Sequence, residues 1–365
     1  MTAETLSTFD HFVDHISTVP VIAGQQVQLY VREKARADLA ENPAGFRGAV
    51  LMLHGGYWPC TPSFDLAHED YSWMAALARE GWDVYAMDMT GYGRSPRPLM
   101  DDPRNLDPAE QHLLIPGTLS APVDPPYPFD LVTSDSEADD IDRVVDFIRA
   151  RRGLETICLI GWSGGGCRSG TYIARHPEKI ARLVIYASSN YKREGSRKPA
   201  QIPAPGAPMT LQTFDHFIDK RWNPAIRCDD QVAPGMKELA WTQSVASDPV
   251  GAKWANKDGK GGGLRGPNRT YWGWNRDGAA QVKLPTLVMV GEGDRLLPSN
   301  RELFADLGAA PKAMVEIACA SHFAQWEKQR HLLHRLSNAW LGGETVDGAK
   351  PGVYRADESG ALALS

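Results

Sequence analysis

The chain has 365 residues and a formal net charge of −6, so it can bury a sizeable core without disulfide or metal staples. The mild acidic balance offers no basic footprint for nucleic acid or an anionic membrane, which makes a small molecule the expected partner. No basic-then-apolar leader opens the sequence and no run approaches the roughly 18 apolar residues of a membrane span, so a soluble, cytoplasmic protein is expected.

Cys60, Cys158, Cys167, Cys228 and Cys319 are odd in number and include no CxxC pair, so neither a zinc site nor a disulfide framework is expected. Cys158 and Cys319 fall in apolar strand-like runs and read as small buried hydrophobes. His11 and His15 stand four apart without a carboxylate partner and read as surface residues. No metal or cofactor is expected.

Residues 1 to 46 carry alternating runs such as Val27-Gln28-Leu29-Tyr30-Val31, suited to a half-exposed antiparallel edge. Gly48 to Leu53 is continuously apolar, as in a strand buried on both faces, and runs into His54-Gly55-Gly56-Tyr57-Trp58. A helix is expected over Tyr71 to Glu80. A second buried strand, Val84 to Asp88, then leads into Gly91-Tyr92-Gly93-Arg94-Ser95. Strands alternating with helices predict a parallel sheet with right-handed crossovers.

Nine prolines between Pro96 and Asp130 block both helix and central strand, predicting an irregular excursion from the carboxyl edge of the sheet over the site. Helical order returns at Ser134, with Glu137 completing a capping box and Ile141, Val144, Val145 and Ile148 forming an apolar stripe. The strand Thr156 to Ile160 then ends in Gly161-Trp162-Ser163-Gly164-Gly165. A strand-to-helix turn this tight needs small residues on both sides of the serine, and it aims the first helix amides at the hydroxyl.

Leu183 to Ala187 forms another strand, after which the rhythm breaks from 191 to 281. That stretch holds Trp222, Trp241, Trp254, Trp272 and Trp274, five of the eleven tryptophans, and reads as an inserted cap. The tryptophans either pack a small helical layer or line an apolar pocket. The rhythm resumes with Thr286 to Val290, leading to Gly293-Asp294, and with Ala313 to Ile317, leading to Ser321-His322. A last helix, Ala324 to Trp340, carries His331 and His334 and reads as a solvent-facing cover. Residues 342 to 365 show no strong pattern.

Ser163, Asp294 and His322 each follow a buried strand. A serine hydroxyl is hardly ionised at neutral pH and needs an imidazole to accept its proton, the role of His322. That imidazole needs its tautomer fixed and its positive charge balanced, the role of Asp294. Backbone amides of Gly56 and Gly164 are the expected oxyanion donors, with Tyr57 as a further group there. Trp58, Trp162 and His54 are candidate pocket residues. A lone aspartate after a strand is more often a turn residue, and a lone histidine more often a surface group. Their joint arrival in the order serine, aspartate, histidine, below a His-Gly-Gly turn, favours chemistry. Glu194, the nearest acid after the sixth strand, is the alternative carboxylate.

These pieces, with Asp88 to Ser95, resemble the α/β-hydrolase superfamily over residues 25 to 340. The resemblance implies an α/β fold with a mostly parallel eight-stranded sheet flanked by helices and an inserted cap. The core would span 1–190 and 282–345, the cap 191–281, the proline-rich loop 96–130, and a C-terminal tail 346–365. His54 to Trp58 is similar to the oxyanion loop of kynurenine formamidases and some esterases. Asp88 to Ser95 is closer to the esterase, lactonase and epoxide-hydrolase branch, although serine at 163 departs from the aspartate of epoxide hydrolases. The implied activity is cleavage of a carboxylic ester or lactone, with a bulky apolar or aromatic substrate, through an acyl-enzyme. Amide or formamide hydrolysis, and ligand binding with little turnover, are the alternatives.

Overall fold

Alternation in the first residues produces two antiparallel strands, β1 (Leu6–Ile16) and β2 (Gln26–Arg36), paired from Leu6 with Arg36 to Ile16 with Gln26. The continuously apolar runs become β3 (Ala49–Leu53), β4 (Asp83–Met87), β5 (Ile157–Trp162), β6 (Ile180–Tyr186), β7 (Thr286–Gly291) and β8 (Lys312–Ile317). Every pair of neighbours among these six is parallel. This computed structural model describes residues 5–41, 45–195, 197–255, 261–308 and 311–365.

Among those residues the main sheet has ten strands in the order β1-β2-β4-β3-β5-β6-β7-β8-β9-β10. The two beyond the expected eight come from the stretch taken as a tail: β9 (Val353–Ala356) runs parallel to β8, and β10 (Leu362–Leu364) returns antiparallel. Segments of four and three residues carry too little periodicity to be read alone. The exposed edge of β8 is what gives them structure.

Successive residues of the parallel strands enter opposite layers, as period-2 geometry requires. Val50, Met52, Ile160 and Met289 pack under the helices α1 (Trp73–Arg79) and, far along the chain, Arg330–Gly343. Leu51, Leu53, Leu159 and Val288 pack under α2 (Ser134–Arg152), α3 (Gly164–Ile173) and Leu297–Asp306. α2 starts at Ser134, but Thr133 and Ser136 close the capping box in place of Ser134 and Glu137. Glu137 is thereby released to accept from Arg168 at 2.8 Å and Arg269 at 2.7 Å in the interior. The final helix covers the sheet rather than facing solvent at His334, which is buried beside Trp73.

Between β6 and β7 the chain builds an antiparallel ribbon, Met209–Thr213 with Gly263–Pro267, and the helix Met236–Val245. The proline-rich segment forms short turns whose Met100, Leu106, Leu114 and Leu119 pack against Met209, Leu211 and Trp254 of this layer. Asp107 donates its amide to Met209, and Glu110 accepts from the Leu211 amide at 2.5 Å.

The cysteine expectation fails. Cys319, read as a lone buried hydrophobe, is disulfide-paired with Cys228 across 91 residues, with the Cα atoms 5.6 Å apart. Folding of residues 191–281 back onto the loop after β8 creates this proximity, and no local spacing could reveal it. Asp230 lies beside the pair and is ion-paired with Lys328.

Candidate active site

The order β4-β3-β5 makes the chain change direction across the sheet at β3, and the crevice at such a switch point is where open α/β sheets take ligands. The loop after β3 and the turn after β5 meet there.

At the end of β5, Ser163 holds φ 53° and ψ −114°, a left-handed conformation of the kind that costs about 1–3 kcal/mol and clusters at functional sites. A Cβ on Gly161 would stand 2.5 Å from the Gly165 carbonyl oxygen, and one on Gly165 would collide with the Leu53 carbonyl at the end of β3. The flanking glycines are therefore required by close backbone approach. The Ser163 amide donates to Tyr186 at 2.9 Å, and its carbonyl accepts from Gly166 and Ser189, both at 3.0 Å. The serine backbone is fixed from both sides.

Gly56 and Gly164 border the same cavity as Ser163. A Cβ built on Gly164 would lie 3.4 Å from the Gly56 nitrogen, so the two backbone segments adjoin. Among the described residues neither amide has a protein acceptor, which leaves both donors to a ligand. Tyr57, at φ 70°, lines the cavity too, and its hydroxyl pairs with the Thr210 hydroxyl at 2.9 Å.

β7 and β8 are neighbours, so the residues that follow them meet. The His322 Nδ1 and Asp294 Oδ2 atoms are 2.8 Å apart, with the carboxylate side chain almost wholly buried. Asp294 Oδ1 also accepts from the Leu296 amide at 2.9 Å, fixing its plane. The imidazole packs beside Trp162, whose indole nitrogen donates to the His322 carbonyl at 2.9 Å. With Nδ1 committed to Asp294, Nε2 remains for proton exchange. Glu194 is paired with Arg276 at 2.8 Å instead and does not border the cavity.

The residue before His322 is clamped by groups the sequence did not single out. Glu327, fully buried, accepts from the Ser321 amide at 2.8 Å and from its hydroxyl. It also accepts from Trp222 Nε1 at 2.7 Å and Gln231 Nε2 at 3.0 Å, both in the 191–281 segment. Burial pushes its carboxyl up from the usual range, against the downward pull of those donors. A lone glutamate in a polar run carries no signal of this role; only the tertiary contacts supply it.

The shared cavity measures about 640 Å³. Trp58 and Trp162 line it; His54, the third candidate pocket residue, does not. His54 is fully buried, with Nδ1 donating to the Gly55 carbonyl at 2.6 Å and Nε2 accepting from the Met89 amide at 3.2 Å. Burial, reinforced by Arg168, pushes its pKa down to about 3, so it is a neutral brace beneath the turn after β3. None of the five tryptophans of 191–281 borders the cavity either. Trp222 and Trp241 pack with Trp58, Phe217 and Trp326, while Trp254 and Trp274 join other parts of the core. No residue of 96–130 reaches the cavity wall; that segment buttresses the ribbon that does.

An α/β sheet with a strained serine after β5 and an aspartate-histidine pair after β7 and β8 defines the hydrolase class of this architecture. Residues 48–329 match the sequence profile of the alpha/beta hydrolase fold, and the chain belongs to that family. It is 23% identical to the AB hydrolase superfamily protein YisY of Bacillus subtilis over 85% of this chain and 99% of that protein. It is 22% identical to a 2-hydroxy-6-oxononadienedioate/2-hydroxy-6-oxononatrienedioate hydrolase of Comamonas testosteroni, over 78% and 85% of the two chains. Among solved structures, carboxylesterase CesB (YbfK) of Bacillus subtilis superposes with a TM-score of 0.55 at 15% identity, over 92% of each chain. Among the described residues no helix is long and apolar enough to cross a membrane.

Proposed function

We propose that the protein is a serine hydrolase that cleaves a carboxylic ester or lactone through an acyl-enzyme. The observation that carries this reading is the His322–Asp294 pair, 2.8 Å apart, bordering the same cavity as the strained Ser163 and two acceptor-free amides. Ser163 Oγ bonds to the substrate carbonyl carbon while His322 Nε2 takes its proton, and Asp294 balances the imidazolium. The oxyanion rests on the amides of Gly56 and Gly164. His322 then gives the proton to the leaving oxygen, and a water deprotonated by the same nitrogen releases the acid and regenerates Ser163. Residues 191–281 act as a cap. Tyr57, Trp58, Trp162 and Phe323 give the cavity aromatic faces that suit an apolar or aromatic acyl group.

Labelling with a fluorophosphonate, located by mass spectrometry, is expected at Ser163. Ser163→Ala is expected to lose at least about 10⁴-fold in kcat on an ester or lactone panel. Label on another residue, or turnover unchanged in Ser163→Ala, defeats the reading. The Comamonas relative favours a second one: hydrolysis of an unsaturated keto acid such as the 2-hydroxy-6-oxononadienedioate in its name. If such a compound outruns every ester and lactone in the panel, the second reading replaces the first.

A further inference from the structure

The cavity carries positive charge that the hydrolytic steps do not use. Arg168 and Arg269, both in its wall, share the single carboxylate of Glu137. Three further guanidiniums border the cavity, of which Arg227 is turned back onto the Pro224 and Ile226 carbonyls, and Lys220 adds an ammonium. Arg221 comes from the 191–281 segment, and Arg295 follows Asp294 directly after β7. Arg221 is partly buried, with its guanidinium 5.6 Å from the centre of the Tyr57 ring, which places it above the oxyanion loop.

Among the described residues no carboxylate lies within ion-pair distance of either arginine. The acids lining the cavity are Glu292 and Asp294, and Asp294 is committed to His322. Glu110, an acid felt by Arg221 from the ribbon side, is bonded to the Leu211 amide. Burial first, and then the like charge of Arg295 against the opposing influence of Tyr57, hold the Arg221 pKa below its usual value. Two cations from different elements that face one cavity without counter-ions gain from an anion placed between them. The planar guanidinium fork matches a carboxylate in particular.

We propose that Arg221 and Arg295 form a carboxylate subsite. It rests on the hydrolase reading and gives the substrate class: an ester or lactone whose acyl part ends in a second, free carboxylate. Binding of that group ties the 191–281 segment to the core across the mouth of the site.

The test compares two p-nitrophenyl esters of similar chain length, the glutarate half-ester and the neutral pentanoate. The wild type is expected to favour the half-ester by roughly 10- to 100-fold in kcat/KM, chiefly through KM. Arg221→Gln and Arg295→Gln should each collapse that ratio, Arg221→Lys should retain part of it, and high salt should shrink it. Arg104→Gln, an exposed change outside the cavity, should leave the ratio intact. A ratio near one in the wild type, or one that survives both glutamine variants, overturns the subsite.

Calorimetry with glutarate on Ser163→Ala separates the two claims. Glutarate binding that disappears when Arg221→Gln is added, in a protein that cleaves no ester, supports the subsite and rejects the hydrolase reading. Ester cleavage through Ser163 without glutarate binding does the reverse.

Discussion

The sheet edge and the 191–281 segment hold their functional groups by different means. At the edge, backbone geometry does the positioning: Ser163 is fixed by three main-chain hydrogen bonds, and its turn by the close approach of Gly165 to β3. His322 and Asp294 meet because β7 and β8 pair. The 191–281 segment, besides a short backbone ladder of Arg269 and Thr270 on Val132 and Thr133, is attached by side chains: Trp222 and Gln231 on buried Glu327, Cys228 on Cys319, Asp248 on Arg97, and Arg265 on Asp101. Backbone positioning is shared by every sequence that folds this way. Side-chain attachment depends on the identity of each residue, and on this segment Arg221 stands over the Tyr57 ring.

The contrast predicts that changes at the edge abolish chemistry while leaving the fold, and that changes at the attachments do the opposite. Asp294→Asn should show the largest effect, about 10⁴-fold in kcat with an unchanged melting curve, because the imidazole loses its tautomer and its counter-charge. A small kcat change would show that the pair is structural. Cys228→Ser should follow, lowering stability by up to about 4 kcal/mol for a closure across 91 residues. A thiol reductant should destabilise the wild type equally and leave the variant unaffected. An inert wild type would show that the cysteines remain reduced, as a cytoplasmic protein would keep them.

The last prediction concerns acid. Burial first, helped by Arg168 for His54 and by His331 for His334, pushes both pKa values down to about 3. An unfolded histidine titrates near 6.5, so the stabilising contribution of each neutral ring is complete above that pH. It is lost as pH falls from about 6.5 towards about 3, amounting to a few kcal/mol in denaturant melts. His54→Asn should flatten that slope by removing one titrating group. An unaltered slope would place the acid sensitivity elsewhere.

What could be read along the chain was whatever local sterics and periodicity dictate. Gly161 and Gly165 around Ser163 mark a turn with no room for a Cβ, and unbroken apolar runs such as Ala49–Leu53 mark strands buried on both sides. Asp294 and His322 stood out because each follows such a strand. The sequence by itself therefore determined the parallel sheet, the elbow and the candidates for proton transfer. Tertiary structure alone decided that Cys228 reaches Cys319, that Glu327 clamps Ser321, that His54 braces rather than binds, and that β9 and β10 extend the sheet. It also decided that the tryptophans of 191–281 pack while Arg221 and Arg295 border the cavity. The reason is physical: a steric or periodic constraint acts within a few residues and leaves its mark on local composition. A disulfide, a buried carboxylate's partners or a pair of facing cations depends on segments tens to hundreds of residues apart, and nothing in either segment alone encodes the meeting.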